Sequence, residues 1–444
     1  MPAMPESKWP PVRRREIFGW AMFDFANSSY TTLIITVAFA VYFRKIVAGG
    51  ANADFLWSLG ITITNILVMV LSPLIGAIAD GAGRKKLFLF STYALCVAGT
   101  AGLFFAQPGQ VFLALALLIV SNLAFSFGEN FTSAFLPEIS TPKNIGRISA
   151  FGWGLGYFGG LACLLLVRPF LQGLDWEVEK LLAPENAGVF LDLRLAWVIT
   201  ALFFALSGLP TFLLLRERAV RAQGRSLADY AREGFGRLRA TMKDMAHFGQ
   251  LRRFLVTFFF FQAGLTAVIA FAGIFAEHTL GFTANELIAL FLLLQVSAAL
   301  GSLFFGWIQD RIGGRQALRI TLGLWILVCI GTYLCTDKGL FWAIAVAAGL
   351  GIGSLQAAAR AVVGLFSPTE KAGEFFGFWG LAGKAAYAVG PMAFGLVSSL
   401  TGSQRLAILS TALFFVIGLV GLNRVDEALG QREAESWQAA AGRD

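Results

Sequence analysis

Unbroken apolar stretches, separated by short polar turns, give this chain its pattern from residue 17 to residue 422. They run over 17–43, 55–79, 87–106, 111–136, 148–170, 194–215, 254–276, 285–308, 318–336, 340–365, 374–399 and 404–422. About 20 residues of apolar helix cross the roughly 30 Å hydrocarbon core of a bilayer, so each stretch has spanning length. Backbone groups in lipid must bond internally, which leaves helices or closed barrels. Apolar residues here follow one another and do not alternate with polar ones, which selects helices. The expectation is an all-α polytopic membrane protein with twelve transmembrane helices. The one long polar stretch, 216–253, falls after the sixth span. It predicts a six-helix half over 1–215, a linker over 216–253, a second six-helix half over 254–425 and a polar tail over 426–444 that frays.

Composition points to the same solvent. The 444 residues are 57% hydrophobic and 14% charged, with mean hydropathy +0.69 and 43 Phe; a soluble chain carries about a quarter charged residues. The net charge of +8 could suggest nucleic acid, but its placement does not. The termini and the loops 80–86, 137–147, 216–253, 309–319 and 366–373 hold 26 of the 35 Lys and Arg, and the opposite loops hold seven. That bias puts both termini in the cytoplasm. Arg outnumbers Lys, which fits a GC-rich bacterial source but is composition and not evidence of compartment; the expected setting is a bacterial inner membrane. Arg13, Arg14 and Arg15 before an apolar run imitate a secretion signal, but the run is too long and carries Asp24; it is expected to stay as the first helix. Within the linker, Leu227, Tyr230, Leu238, Met242 and Met245 recur at helical spacing among Arg232, Arg237, Arg239 and Lys243, which suits a helix lying on the membrane surface. Residues 171–193, with Asp175, Glu177, Glu179, Glu185 and Asp192, read as a solvated outer loop with room for a short helix.

Enzyme chemistry finds no residues. Gly377…Gly383-Lys384 has one residue too many for a phosphate loop and ends in Ala. His247 and His278 are the two histidines and both sit at loops. Cys96, Cys163, Cys329 and Cys335 lie in apolar spans without metal-ligand spacing. No cofactor and no metal is expected.

The chain repeats itself. Gly76-Ala-Ile-Ala-Asp80-Gly-Ala-Gly83-Arg84-Lys85-Lys86 follows the second span of the first half. Gly306-Trp-Ile-Gln-Asp310-Arg311-Ile-Gly313-Gly314-Arg315 follows the second span of the other half, 230 residues later. A second pair, Gly146-Arg-Ile-Ser-Ala-Phe151 and Gly373-Glu-Phe-Phe-Gly-Phe378, aligns at an offset of 227. Six spans per half make the halves parallel, the layout of a secondary transporter. Gly76 and Gly306 permit close helix approach. Asp80 and Asp310 can cap a neighbouring helix N-terminus or pair with a loop cation such as Arg84 or Arg311. A contact made only when the halves close on that side would bias one state of an alternating cycle. These six residues are the expected gating hinge.

The hinge motifs resemble those of the major facilitator superfamily, whose signature between helices 2 and 3 is Gly-x-x-x-Asp-Arg-x-Gly-Arg-Arg or close to it. The first copy has Gly81 where Arg is usual, and the second has Gly314 in place of the first basic residue. A narrower resemblance, to the autophagy-related vacuole-effluxer-like branch, covers nearly the whole chain. It is carried by Trp20-Ala-Met-Phe-Asp24-Phe25-Ala26-Asn27-Ser28, Phe135-Leu136-Pro137-Glu138-Ile139, Gln356-Ala357-x-x-Arg360, Glu374-Phe375-Phe376-Gly377 and Gly383-Lys384…Gly390-Pro391. The resemblance implies the major facilitator fold and, in the fungal members, amino-acid efflux from the vacuole.

Four ionisable residues fall inside predicted spans: Asp24, Glu129, Arg360 and Lys384. A charge at the bilayer centre costs about 2.5–3.5 kcal/mol on insertion scales, so such residues face partners or water. In the superfamily architecture helices 1, 4, 7 and 10 line the cavity, and three of the four lie on those helices. Two acids and two bases suit a zwitterion: Arg360 can fork onto a carboxylate, and Asp24 or Glu129 can meet an ammonium. Asn27, Tyr30, Asn130, Gln262 and Gln356 are the neutral polar partners expected beside them. Lys384 has a second option, an ion pair locking its helix. Burial disfavours the charged form of a carboxylate, so Asp24 or Glu129 is also expected to carry a coupling proton, with sodium coupling and uniport as alternatives. The whole reads as a transporter of a small polar solute, acting as a monomer without nucleic-acid partners. A lipid-like or drug-like cargo on the same fold, and a non-transporting receptor, are the competing readings.

Overall fold

A computed structural model describes residues 12–218, 234, 236, 238, 239 and 247–441. Among the described residues twelve long helices form the body. The first six are α1 (Arg14–Ala48), α2 (Ala53–Ala82), α3 (Lys85–Gly102), α4 (Val111–Ala134), α5 (Ile145–Val167) and α6 (Ala187–Leu214). The second six are α7 (Gly249–Leu280), α8 (Ala284–Ile312), α9 (Gly314–Leu334), α10 (Lys338–Leu365), α11 (Ala372–Thr401) and α12 (Gln404–Leu422). A further helix, α13 (Glu427–Ala441), follows them. Among the described residues eleven helices are long and apolar enough to cross a membrane. The twelfth long helix is α11, whose glycines, Pro391 and Lys384 lower its hydropathy.

The helices overrun the apolar stretches by several residues because their ends are completed by caps outside the apolar segment. Thr283 and Glu286 form a capping box at α8, with Thr283 N donating to Glu286 Oε2 at 2.7 Å. Asp337 accepts from Leu340 N at 2.9 Å at α10. At the other end of α2, Gly83 stops the helix in the left-handed region at φ 59°.

Each set of six encloses an apolar core. Trp20, Phe39, Tyr42, Trp197 and Phe204 are buried in the first, and Phe258, Trp325, Phe341 and Phe415 in the second. The outer surface is apolar too: Phe112 is 87% exposed, Leu213 78% and Leu400 76%. Water would not tolerate that surface; lipid does. The two sets meet chiefly where α2 packs on α11 and α5 packs on α8. The turns 82–85 and 312–314 lie on one face of the body, called here the hinge face. Between Thr31 and Val37, and again from Phe43 to Ala48, α1 widens to i→i+5 hydrogen bonding, a departure often found at working sites.

Two expectations are corrected. The polar tail does not fray: α13 lies across the hinge face, where Glu427 accepts from Gly314 N at 3.0 Å and Arg315 N at 2.9 Å at the start of α9. Glu433 accepts from Gln250 N at 3.0 Å at the start of α7. Two exposed helix ends thus give the tail partners that its own sequence does not announce. Glu138, expected from the sequence in the loop 137–147, is buried and ion-paired. The segment 171–193, read from the sequence as an outer loop with room for a short helix, contains short helical turns over Val178–Leu181 and Pro184–Asn186. Of the amphipathic linker stretch, Leu238 and Arg239 are described; Leu227, Tyr230, Arg232, Arg237, Met242, Lys243 and Met245 lie outside the described residues.

Candidate functional site

Helix periodicity builds the central cavity. On α1, Asp24, Asn27, Ser28 and Thr31 fall at i, i+3, i+4 and i+7 and share one face. Asn122, Ser126, Glu129 and Asn130, at i, i+4, i+7 and i+8, likewise share a face of α4. Both sets line a cavity of about 590 Å³. The facing wall comes from the second six helices and is more aromatic: Phe258, Phe291, Trp325 and Trp379 stand beside Gln262, Gln356 and Lys384. The cavity reaches Thr36 and Ile61 on one side and Ala272 and Leu287 on the other, so it extends away from the hinge face.

Glu129 and Lys384 face this cavity from opposite sets of helices. Among the described residues neither forms an ion pair within 4.0 Å. Lys384 Nζ lies 5.5 Å from the Tyr387 ring centroid. Several buried polar atoms on the lining also lack a partner among the described residues: Asn27 Oδ1, Gln262 Oε1 and the indole nitrogens of Trp153, Trp325 and Trp379. Buried polar groups are normally bonded, so this group of three donors and two acceptors marks a place for a polar guest. Asn130 is engaged, donating to Ser72 Oγ at 3.0 Å.

Two of the nine expected lining residues sit elsewhere. Tyr30 is fully buried, its hydroxyl 2.8 Å from Ser121 Oγ and its ring stacked on Phe125 at 5.1 Å. Arg360 lies one helical turn below Gln356, but its guanidinium leaves the cavity for α1 and α5. Nη1 donates to Asp24 Oδ2 at 2.7 Å, Nε to Ser149 Oγ at 3.1 Å and Nη2 to Ser149 O at 2.7 Å. Asp24 and Arg360 therefore neutralise each other at the cavity floor, while Glu129 and Lys384 do not.

Below that floor the hinge residues join the two sets of helices. Asp80 accepts from Gly373 N at 3.1 Å and Glu374 N at 2.9 Å, capping α11. Asp310 accepts from Gly146 N at 2.8 Å and Arg147 N at 3.2 Å, capping α5. A Cβ on Gly76 would strike the Gly373 carbonyl, and one on Gly306 would strike Ala150. The cations that reach these aspartates are Lys85 and Arg147. Arg84 is exposed, and Arg311 lies over the Trp307 ring at 3.3 Å. Sequence reasoning quoted Lys85 within the hinge motif but named Arg84 and Arg311 as the pairing cations, and did not single out Arg147, Ser149 or Trp153. Arg147 lies inside the duplicated Gly146 motif, which was the available clue.

The family described as vacuole effluxer Atg22-like matches residues 55–435. An uncharacterized MFS-type transporter, YxiO, of Bacillus subtilis is 30% identical over 415 residues, covering 92% of this chain and 94% of that one. Autophagy-related protein 22 of Cryptococcus neoformans is 25% identical over 311 residues, 66% of this chain and 54% of that one. The crystal structure of the human organic anion transporter MFSD10 superposes with a TM-score of 0.71 at 14% identity, covering 93% of this chain and 100% of that one.

Proposed function

The chain belongs to the vacuole effluxer Atg22-like family of the major facilitator superfamily and is an integral membrane transporter; from that premise we propose that its cargo is a small zwitterion, amino-acid-like, held between Glu129 and Lys384. The observation that carries this reading is the pair of opposite charges facing one cavity from opposite sets of helices, each without an ion-pair partner. A carboxylate would meet the Lys384 ammonium and the indole donors. An ammonium would meet Glu129, with Asn27, Gln262 and Gln356 beside it. Each charge of the guest replaces solvation that the protein charge lacks, so an uncharged analogue binds poorly.

The cycle is alternating access. The hinge residues Gly76, Asp80, Gly306 and Asp310 hold one face shut in the conformation described, and Arg84 and Arg311 flank them. The Lys and Arg bias puts the hinge face in the cytoplasm, so this conformation opens outward, in what we take to be a bacterial inner membrane. Asp24 or Glu129 carries a coupling proton, and the transporter works as a monomer.

A thermal-shift panel of amino acids, dipeptides, nucleosides, sugars, lysolipids and amphipathic drugs tests the cargo. A ligand at about a hundred times its dissociation constant adds about 2.7 kcal/mol. Stabilisation by a zwitterion that disappears in Glu129→Gln and in Lys384→Gln supports the reading. Stabilisation by amphipathic compounds alone, indifferent to both variants, replaces it with an exporter that uses the aromatic wall. Flux in sealed vesicles that ignores an imposed pH gradient removes the proton.

A further inference from the structure

Arg360 is anchored on α10, in the second set of helices, yet its ionic and aromatic partners come from the first. Asp24 and Ser149 take its N–H groups. The rings of Trp20 and Trp153 lie 4.8 Å and 5.3 Å from its Cζ. The side chain is 1% exposed. Ser149 completes a two-way stitch: its Oγ accepts from Arg360 Nε and donates to Ala357 O at 2.7 Å. Space for the guanidinium exists because residue 152 is glycine. A Cβ there would meet Arg360 Nη2 at 2.7 Å and Trp20 Cζ3 at 2.9 Å, and would collide with Asp24 Oδ2.

This is a built socket, and its position says what it does. Gln356 still faces the cavity; Arg360, one turn further toward the hinge face, plugs into the opposite wall. A planar, permanently charged fork satisfied on several sides holds one geometry well. A buried charge stripped of its partner is strongly unfavourable, so a half-withdrawn guanidinium is disfavoured. We propose that Arg360 is the bolt of an inner gate: it closes the cavity floor when seated and is withdrawn when the floor opens, with Ser149, Gly152 and Trp153 as its positioning residues. The inference rests on the transport reading but not on the nature of the cargo.

The test uses ligand-free protein, so its failure is separate from failure of the zwitterion reading. Spin labels at Lys143→Cys and Ile312→Cys report the separation of α5 from α8 at the hinge face. Both positions are exposed, and the four native cysteines are buried. The parent should show one short distance. Arg360→Ala should raise the long-distance population at least tenfold, and Arg360→Lys, which keeps the charge but loses the fork, should fall between. A single short distance retained in Arg360→Ala overturns the proposal. Should Arg360→Ala fail to fold, Gly152→Ala decides: a new long population supports the bolt, and its absence overturns it.

Discussion

The two hinge crossings are built on one plan and finished differently. At both, an aspartate from the end of one helix caps the N-terminus of a helix in the other set: Asp80 on α11 and Asp310 on α5. At the α2–α11 crossing the reinforcing cation is Lys85, 1% exposed, which also bonds Glu138 Oε1 at 2.9 Å and the Thr369 carbonyl at 2.7 Å. At the α5–α8 crossing it is Arg147, 57% exposed and 2.6 Å from Asp310. A buried network and a surface pair differ several-fold in energetic weight. Duplication preserved the backbone cap, which geometry dictates, and left the ionic reinforcement free to diverge.

The comparison can be broken at several points. Lys85→Met should have the largest effect. It strands Glu138 and Asp80 in a buried site and should cost about 3–5 kcal/mol, read as the midpoint shift in denaturation of the purified protein. A loss under about 1 kcal/mol would mean the two crossings are energetically alike. Next, Asp80→Asn and Asp310→Asn should each weaken a cap by about 1–2 kcal/mol, with Asp80→Asn the worse because it also leaves Lys85 with one carboxylate fewer. Equal losses from the two variants would remove the asymmetry. Arg147→Ala should cost no more than about 1 kcal/mol, and that small loss should vanish in high salt.

The smallest effect belongs to Glu217, just after α6, whose Oε2 accepts from Lys86 N at 2.7 Å at the start of α3. It is the first set's counterpart of Glu427 on α9. Burial pushes the Glu217 carboxyl above its ordinary value, against the opposing pull of the Lys86 N–H. A carboxyl raised in the fold favours folding below its unfolded value, and that contribution is lost as pH rises through the raised one. Glu217→Gln keeps the acceptor without the charge. It should match the parent at acid pH and be slightly more stable near neutrality, in denaturation midpoints followed from pH 4 to pH 8.

The spans were legible because lipid imposes a length and a continuity on apolar sequence that no other solvent does. The duplication was legible because two glycine-and-aspartate turns recur at one offset. Glu129 and Lys384 were visible as charges where charges are costly. The partners were not. Lys85 and Glu138 meet across 53 residues, and Arg360 and Asp24 across 336; nothing local in either segment names the other. Arg360 looked like a ligand for cargo because an isolated arginine in a span has an open fork, and only the fold shows Ser149 and Asp24 filling it. The tail was misread for a related reason: a polar amphipathic segment takes its order from the helix ends it docks on, which belong to α7 and α9.

That docking sets a schedule for biosynthesis. Glu433 completes α7 and Glu427 completes α9, yet both are added after all twelve spanning helices have been made. Until α13 leaves the ribosome, two helices already inserted in the bilayer have N-termini without these carboxylates. A nascent chain stalled or clipped near residue 425 would therefore hold every spanning segment and still present an unfinished second half to the cell's quality control.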